Sequence, residues 1–130
     1  MTSPTSQTPQ RGDIFWATFP GYQSEGSEQR GDRPVLVISV DQINRALPIC
    51  VIVPLSTQTH KANRQFRILI PENEKLAEPG TTGCPGESVA LTEHIRSVSR
   101  DRLQPRRVAR AKPAAMGAVE AGIKYVLRLV

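Results

Sequence analysis

Two apolar runs limit what this chain can become. Pro34-Val35-Leu36-Val37-Ile38-Ser39-Val40 and Pro48-Ile49-Cys50-Val51-Ile52-Val53-Pro54-Leu55 are almost unbroken and rich in β-branched residues. A half-exposed strand alternates, whereas runs like these fit strands buried on both faces, as in a small barrel. A proline at the start of a strand costs no ladder hydrogen bond. Arg33, immediately before Pro34, is pushed to extended backbone. Its guanidinium is then fixed at the mouth of a rigid strand and aimed outward, at the edge of the polar loop 20–32, where binding residues gather. The plainer alternative is a solvated arginine at the start of a strand.

Further strands are predicted over Asp13–Phe19, around Trp16, and over Gln65–Ile70. In the latter, Phe66, Ile68 and Ile70 face one way and Arg67 the other. Short strands follow at Glu87–Leu91 and Ile95–Ser99. From Pro113, apolar Met116, Val119, Ile123, Leu127 and Val130 recur at spacings of three and four, the stripe of an amphipathic helix with proline in its first turn. Six short strands and a terminal helix make a mainly β fold, a small barrel capped by a helix that is also available for a dimer contact. Residues 1–10 are polar and proline-bearing and read as a disordered tail, with a single domain over 11–130. Pro71–Gly86 reads as a second long, mobile loop. Arg100–Arg110, with five arginines, is either an RNA track or a solvated connector.

The chain of 130 residues carries 17 basic and 12 acidic side chains, net +5, which favours a polyanionic partner such as nucleic acid or an acidic protein segment. No signal segment and no membrane-length apolar run is present, so the expected location is the cytoplasm, with reduced thiols. Cys50 lies in an apolar run and Cys84 in a Gly/Pro loop, and neither has the spacing of a metal motif. No cofactor or metal site is expected. The Arg11-Gly12-Asp13 tripeptide runs straight into a strand, which argues against an adhesion motif.

Four blocks in order carry a resemblance. They are Arg11-Gly12-Asp13-Ile14-Phe15-Trp16; Gly26-Ser27-Glu28-Gln29, three residues on, Arg33-Pro34-Val35-Leu36-Val37; Val53-Pro54-Leu55-Ser56; and Ser88 to Val98 with Glu93, His94 and Arg96. From about residue 11 to about 103 the chain resembles the MazF/PemK family of toxin endoribonucleases of bacterial toxin–antitoxin modules. The resemblance implies an SH3-like barrel of the CcdB/MazF kind and a homodimer. It implies metal-independent cleavage of single-stranded RNA, messenger RNA first, with transfer and ribosomal RNA as further candidates. It also implies an antitoxin whose acidic segment covers the RNA groove. By position, Arg33 matches the catalytic arginine, Ser56 a catalytic threonine conservatively replaced, and Glu28 an active-site glutamate. Gln29, Arg30, Thr57, Gln58, Glu93 and Arg96 fall where RNA is bound.

The residues are chemically suited to that work. Attack by a 2′-hydroxyl needs a base, charge stabilisation on the phosphorane and a proton for the 5′-oxygen. Arg33 offers a planar fork of donors for phosphate, and a serine hydroxyl adds one more. An arginine is a poor base, so Glu28 is the better acceptor, unless it serves only to order its loop through a salt bridge. His60 and His94 are weaker candidates for acid–base work. Two other readings remain open at this stage. One is a CcdB-like gyrase poison acting through its helix end; the other is an RNA-binding SH3-like module without catalysis.

Overall fold

The computed structural model describes residues 7–19 and 32–129. Eight strands are present among them, all paired antiparallel: β1 Asp13–Thr18, β2 Asp32–Val37, β3 Ile49–Ser56, β4 Arg67–Ile70, β5 Lys75–Ala77, β6 Ser88–Leu91, β7 Arg96–Ser99 and β8 Ala109–Ala111. Two helices accompany them, α1 Asp41–Ala46 and α2 Pro113–Leu127. The strands form one sheet in the order β4-β6-β3-β2-β1-β8-β5, with β7 also on β3, coiled into a nearly closed barrel.

The two apolar runs become β2 and β3, and both faces of the pair are covered. Leu36, Val53 and Leu55 join Ile14, Ile70, Ala90 and α2's Val119 in one core. Val35, Val37, Cys50 and Ile52 turn the other way and pack with Phe15, Ala17, Phe19, Val98 and Leu103 in a second. The strands are unbroken in hydrophobicity because each pleat direction meets its own core.

Several boundaries differ from the sequence expectation. β2 starts at Asp32, so Pro34 is its third residue, buried and paired with Trp16. The expected loop 71–86 contains β5, and the basic run 100–110 ends in β8, which pairs with both β1 and β5. These three-residue strands are too short to show a period. Arg107 and Arg110 are used within the fold. Arg107 Nε lies 3.0 Å from Glu78 Oε1, and Arg110 donates to Gln10 at 2.7 Å. Ordered contacts begin before Arg11: the Gln7 backbone N–H donates to Pro105 O, and Gln7 Oε1 accepts from the Arg107 backbone.

Helix α1 was not expected at all. It is held by a buried polar contact rather than an apolar stripe: Asn44 donates to Ser39 O at 3.0 Å, and Ser39 Oγ accepts from the Val51 N–H at 2.9 Å. Arg11-Gly12-Asp13 serves the fold, as its strand context implied. Arg11 bonds Ile38 O and Glu120, tying α2 to the end of β2. Gly12 turns at φ +96°, where a side chain would be strained. Asp13 is buried, accepts from the Gln10 N–H at 2.9 Å and has Arg110 Nε 3.2 Å away. Burial raises its carboxyl above the ordinary range, against the Gln10 N–H and the two arginines, which lower it.

Between β6 and β7 the chain bulges. The pairs Leu55↔Ala90 and Ile52↔Arg96 enclose two residues on β3 but five on the opposite side. The surplus is a 3-10 turn, Thr92–His94. Thr92 is buried, donates to Phe66 O, and rests on α2 at Gly122. The helix faces the core with the expected Met116, Val119 and Ile123, and adds Ala115 and Gly122 to that face. Val119 is its fully buried member, Ala115 and Gly122 make close approaches, Met116 and Ile123 pack at the margin, and Leu127 is exposed. Val130 lies outside the described residues.

Two glycines of α2 should respond oppositely to alanine. A Cβ at Gly122 would meet Thr92 Cγ2 at 3.1 Å and Ile68 Cγ1 at 3.3 Å, whereas nothing lies within 4 Å at Gly117. Gly117→Ala should gain up to about 1 kcal/mol from helix propensity. Gly122→Ala should lose about 1–3 kcal/mol from overpacking, partly offset by the same propensity. Urea titrations of both variants check this; equal shifts would show that α2 does not rest on Thr92. Asp13 gives a pH test. Its raised value means that its stabilising share is full below 3.8 and is lost as pH rises through the folded value. Asp13→Asn should lack that decline, so its Tm relative to wild type should climb over that window.

Candidate active site

The site is built from the ends of β2 and β3. Their register runs Val37↔Ile52, Leu36↔Val53, Val35↔Pro54. The ladder ends there; counted two residues further along each strand, Arg33 falls level with Ser56, which itself pairs with Val89 of β6. On the other edge of β2, Arg33 pairs with Ala17. Alternation places Arg33 and Ser56 on one face, the face of Val35, Pro54 and the second core. Arg33 is half-buried, held between flanking strands rather than free in solvent.

The Ser56 hydroxyl is oriented by its own loop. Its oxygen accepts the Gln58 backbone N–H at 3.1 Å, a local turn typical of serine and threonine. With the oxygen so held, its proton is available for an external acceptor. Thr57 and Gln58 continue outward and are exposed. The expected residues Glu28, Gln29 and Arg30 lie outside the described residues. The ends of the segment that carries them are fixed, since Thr18 Oγ1 donates to Asp32 Oδ1 at 3.0 Å, one residue before Arg33.

Arg96 pairs with Ile52 on β7 and so shares the face of Arg33 and Ser56, four residues along β3, or about 13 Å at the usual strand rise. Its guanidinium stacks over Phe19 at 5.1 Å from the ring centroid. Phe19 was expected only as the end of a strand, and its aromatic ring after Trp16 was the one signal available for this contact.

Glu93 is placed differently from the other expected RNA-binding residues. The bulge ejects it from the sheet, and Arg67 Nε donates to its Oε2 at 2.7 Å. Burial pushes its carboxyl upward, but the Arg67 hydrogen bond, its own backbone N–H and the Arg67 and His94 charges outweigh this and leave it lowered. It is thus an ionised carboxylate already neutralised by Arg67, suited to positioning that cation rather than to accepting a proton. Arg67 was missed as a partner, though its outward direction in β4 was legible. His94 Nε2 stands 3.8 Å from Glu93 Oε2 and is exposed. His60 is exposed in a 3-10 turn, Thr59–Ala62, that packs against β4 and β6.

Comparison with known proteins gives the same fold. The chain is 30% identical over 120 residues to the endoribonuclease EndoA of Bacillus subtilis, covering 92% of this chain and 95% of that one. It is 29% identical over 91 residues to the endoribonuclease toxin MazF of Escherichia coli K12, covering 70% and 68%. Among solved structures, MazF from Deinococcus radiodurans superposes with a TM-score of 0.71 at 23% identity, over 95% of this chain and 99% of that one. An endoribonuclease in complex with its cognate antitoxin from a mycobacterial species gives 0.67 at 19% identity, over 94% and 97%. The model of the PemK-like, MazF-like toxins of type II toxin–antitoxin systems matches residues 10–127, and the chain belongs to that family.

Proposed function

We propose that the face bearing Arg33 and Ser56 cleaves single-stranded RNA by in-line attack of a 2′-hydroxyl, without a metal. The chain is an endoribonuclease toxin, as its relative MazF is by name, and EndoA is likewise named an endoribonuclease. The observation that supports the mechanism is the register of β2 against β3, which, extended two residues beyond Val35↔Pro54, brings Arg33 level with Ser56, whose hydroxyl oxygen is already held. In the proposed reaction Glu28 accepts the 2′-hydroxyl proton. Arg33 stabilises the charge that develops on the phosphorane oxygens, and Ser56 donates to the same group. The 5′-oxygen takes up a proton as it leaves, giving a 2′,3′-cyclic phosphate and a 5′-hydroxyl. Arg96, Thr57, Gln58, Gln29 and Arg30 bind the strand on either side, and the Arg67–Glu93 pair shapes its edge.

The partner that neutralises the toxin is a cognate antitoxin, like the one bound to the mycobacterial relative. Its acidic, flexible segment covers the same basic face. Two copies of the chain form the working unit, which exposed Tyr125, Leu127 and Leu129 at the end of α2 support. The site of action is the cytoplasm; among the described residues no helix is long and apolar enough to cross a membrane.

Mapping ends on a long RNA in the presence of chelator tests this. Wild type should cut at a short sequence and leave cyclic phosphates. Arg33→Ala should lose about 10²–10³ in kcat, the usual cost of removing one donor to a developing oxyanion. Ser56→Ala should lose about 10–100-fold, while Ser56→Thr should retain activity. Glu28→Gln should lose about 10²–10⁴ if it is the base. Uncut RNA bound by wild type would mean a binding module, and undiminished cleavage by Arg33→Ala would remove Arg33 from the chemistry.

A further inference from the structure

At the start of β5 the fold buries an ammonium away from the Arg33 face. Lys75 is 7% exposed. Its Nζ donates to Ser88 Oγ at 2.6 Å and stands 3.5 Å from Cys84 Sγ. Ser88 Oγ is 3.8 Å from the same sulfur. Among the described residues, Lys75 has no carboxylate partner within ion-pair distance. The buried cation is thus partnered by a hydroxyl and a sulfur rather than by a carboxylate. The three side chains come from β5, the loop before β6 and the first residue of β6, so the cluster is a tertiary construction. Gly83 and Gly86, at φ +68° and +77°, shape the loop on either side of Cys84.

The two thiols of the chain are set in opposite ways. Cys50 is fully buried in the second core, and burial pushes its thiol up to about 11, with Arg100 acting weakly against it. Cys84 is half-buried and within reach of solvent. Reactive cysteines are partly exposed and lie beside a cation, whereas cysteines enclosed in apolar surroundings are inert.

We propose that Cys84 is an oxidative modification site activated by Lys75, and that its reactant is a small hydroperoxide. The sulfur attacks one peroxide oxygen. An S–O bond forms as the O–O bond breaks, the thiol is oxidised by two electrons to a sulfenic acid, and the peroxide is reduced to water or an alcohol that carries off the thiol proton. The Lys75 ammonium stabilises negative charge on the sulfur and on the departing oxygen. The Ser88 hydroxyl, whose oxygen already accepts from Lys75, turns its proton toward the sulfur. Ser88 directly precedes Val89, the ladder partner of Ser56, so the adduct forms close to the strand that supports the catalytic hydroxyl.

The test uses the full folded chain, hydrogen peroxide and a dimedone trap, with adducts located by peptide mass. Label should appear at Cys84 and not at Cys50, about tenfold or more faster than on N-acetylcysteine in the same solution. Lys75→Met, checked for folding by circular dichroism, should remove that advantage. Labelling of Cys84 no faster than the free thiol overturns the proposal without any variant. A folded Lys75→Met protein that labels at the wild-type rate overturns the role of the ammonium. Because RNA cleavage is not the readout, neither result depends on the nuclease assignment.

Discussion

The β2–β3 ladder, apolar on both faces, is the constraint on which the rest of this structure depends. A strand with one buried face tolerates a slip at the cost of exposing that face. Here a slip of one residue would move every side chain of β2 into the wrong core. Val35 and Val37 would leave Cys50 and Ile52, and Leu36 would leave Val53 and Leu55. The register is therefore set by hydrophobic packing well inside the barrel. Arg33 and Ser56, at the ends of the two strands, inherit it. The backbone positions of these two polar residues are thus set by apolar neighbours further along the same strands.

What was legible in the sequence follows from the same physics. The apolar runs announced double burial, and the Pro34 junction announced an extended Arg33. The terminal helix was visible in its period. What escaped notice had no period to read. β5 and β8 are three residues each. Helix α1 depends on one buried asparagine, and Asn44 in sequence looks like any polar loop residue. The stripe of large residues was legible, but not that the tightest approach falls at Gly122, because α2 lies where the bulge at Thr92 leaves little room. The basic run 100–110 looked like a track or a connector. Its last arginines instead balance Asp13 and Glu78 at the joint between β1, β5 and β8. Composition alone cannot separate a cation facing a polyanion from one facing an internal carboxylate.

The same distinction applies around the site. Arg67 and Arg96 are both cations beside the bulge between β6 and β7, but their surroundings differ. Arg67 is neutralised by Glu93, whose carboxylate it keeps ionised. Arg96 lies over the Phe19 ring, an arrangement that orients the guanidinium plane without cancelling its charge. Of the two, Arg96 keeps more of its field for an incoming phosphate. The acidic-x-x-basic segment Glu93–Arg96 is thus divided, the glutamate engaged by Arg67 and the arginine stacked on an aromatic ring with its charge uncancelled.

The bulge makes that division possible. Were Thr92–His94 extended strand instead of a turn, Glu93 would lie in a ladder with its side chain committed to one face. The 3-10 turn releases it to meet Arg67 and lets β7 resume pairing at Ile52. The turn is held from beneath by Thr92 against Gly122 and from the side by Phe66 O. A glycine on the terminal helix, far along the chain from Arg33, therefore helps hold the turn that carries Glu93. It does so by permitting a close approach that any larger residue would prevent.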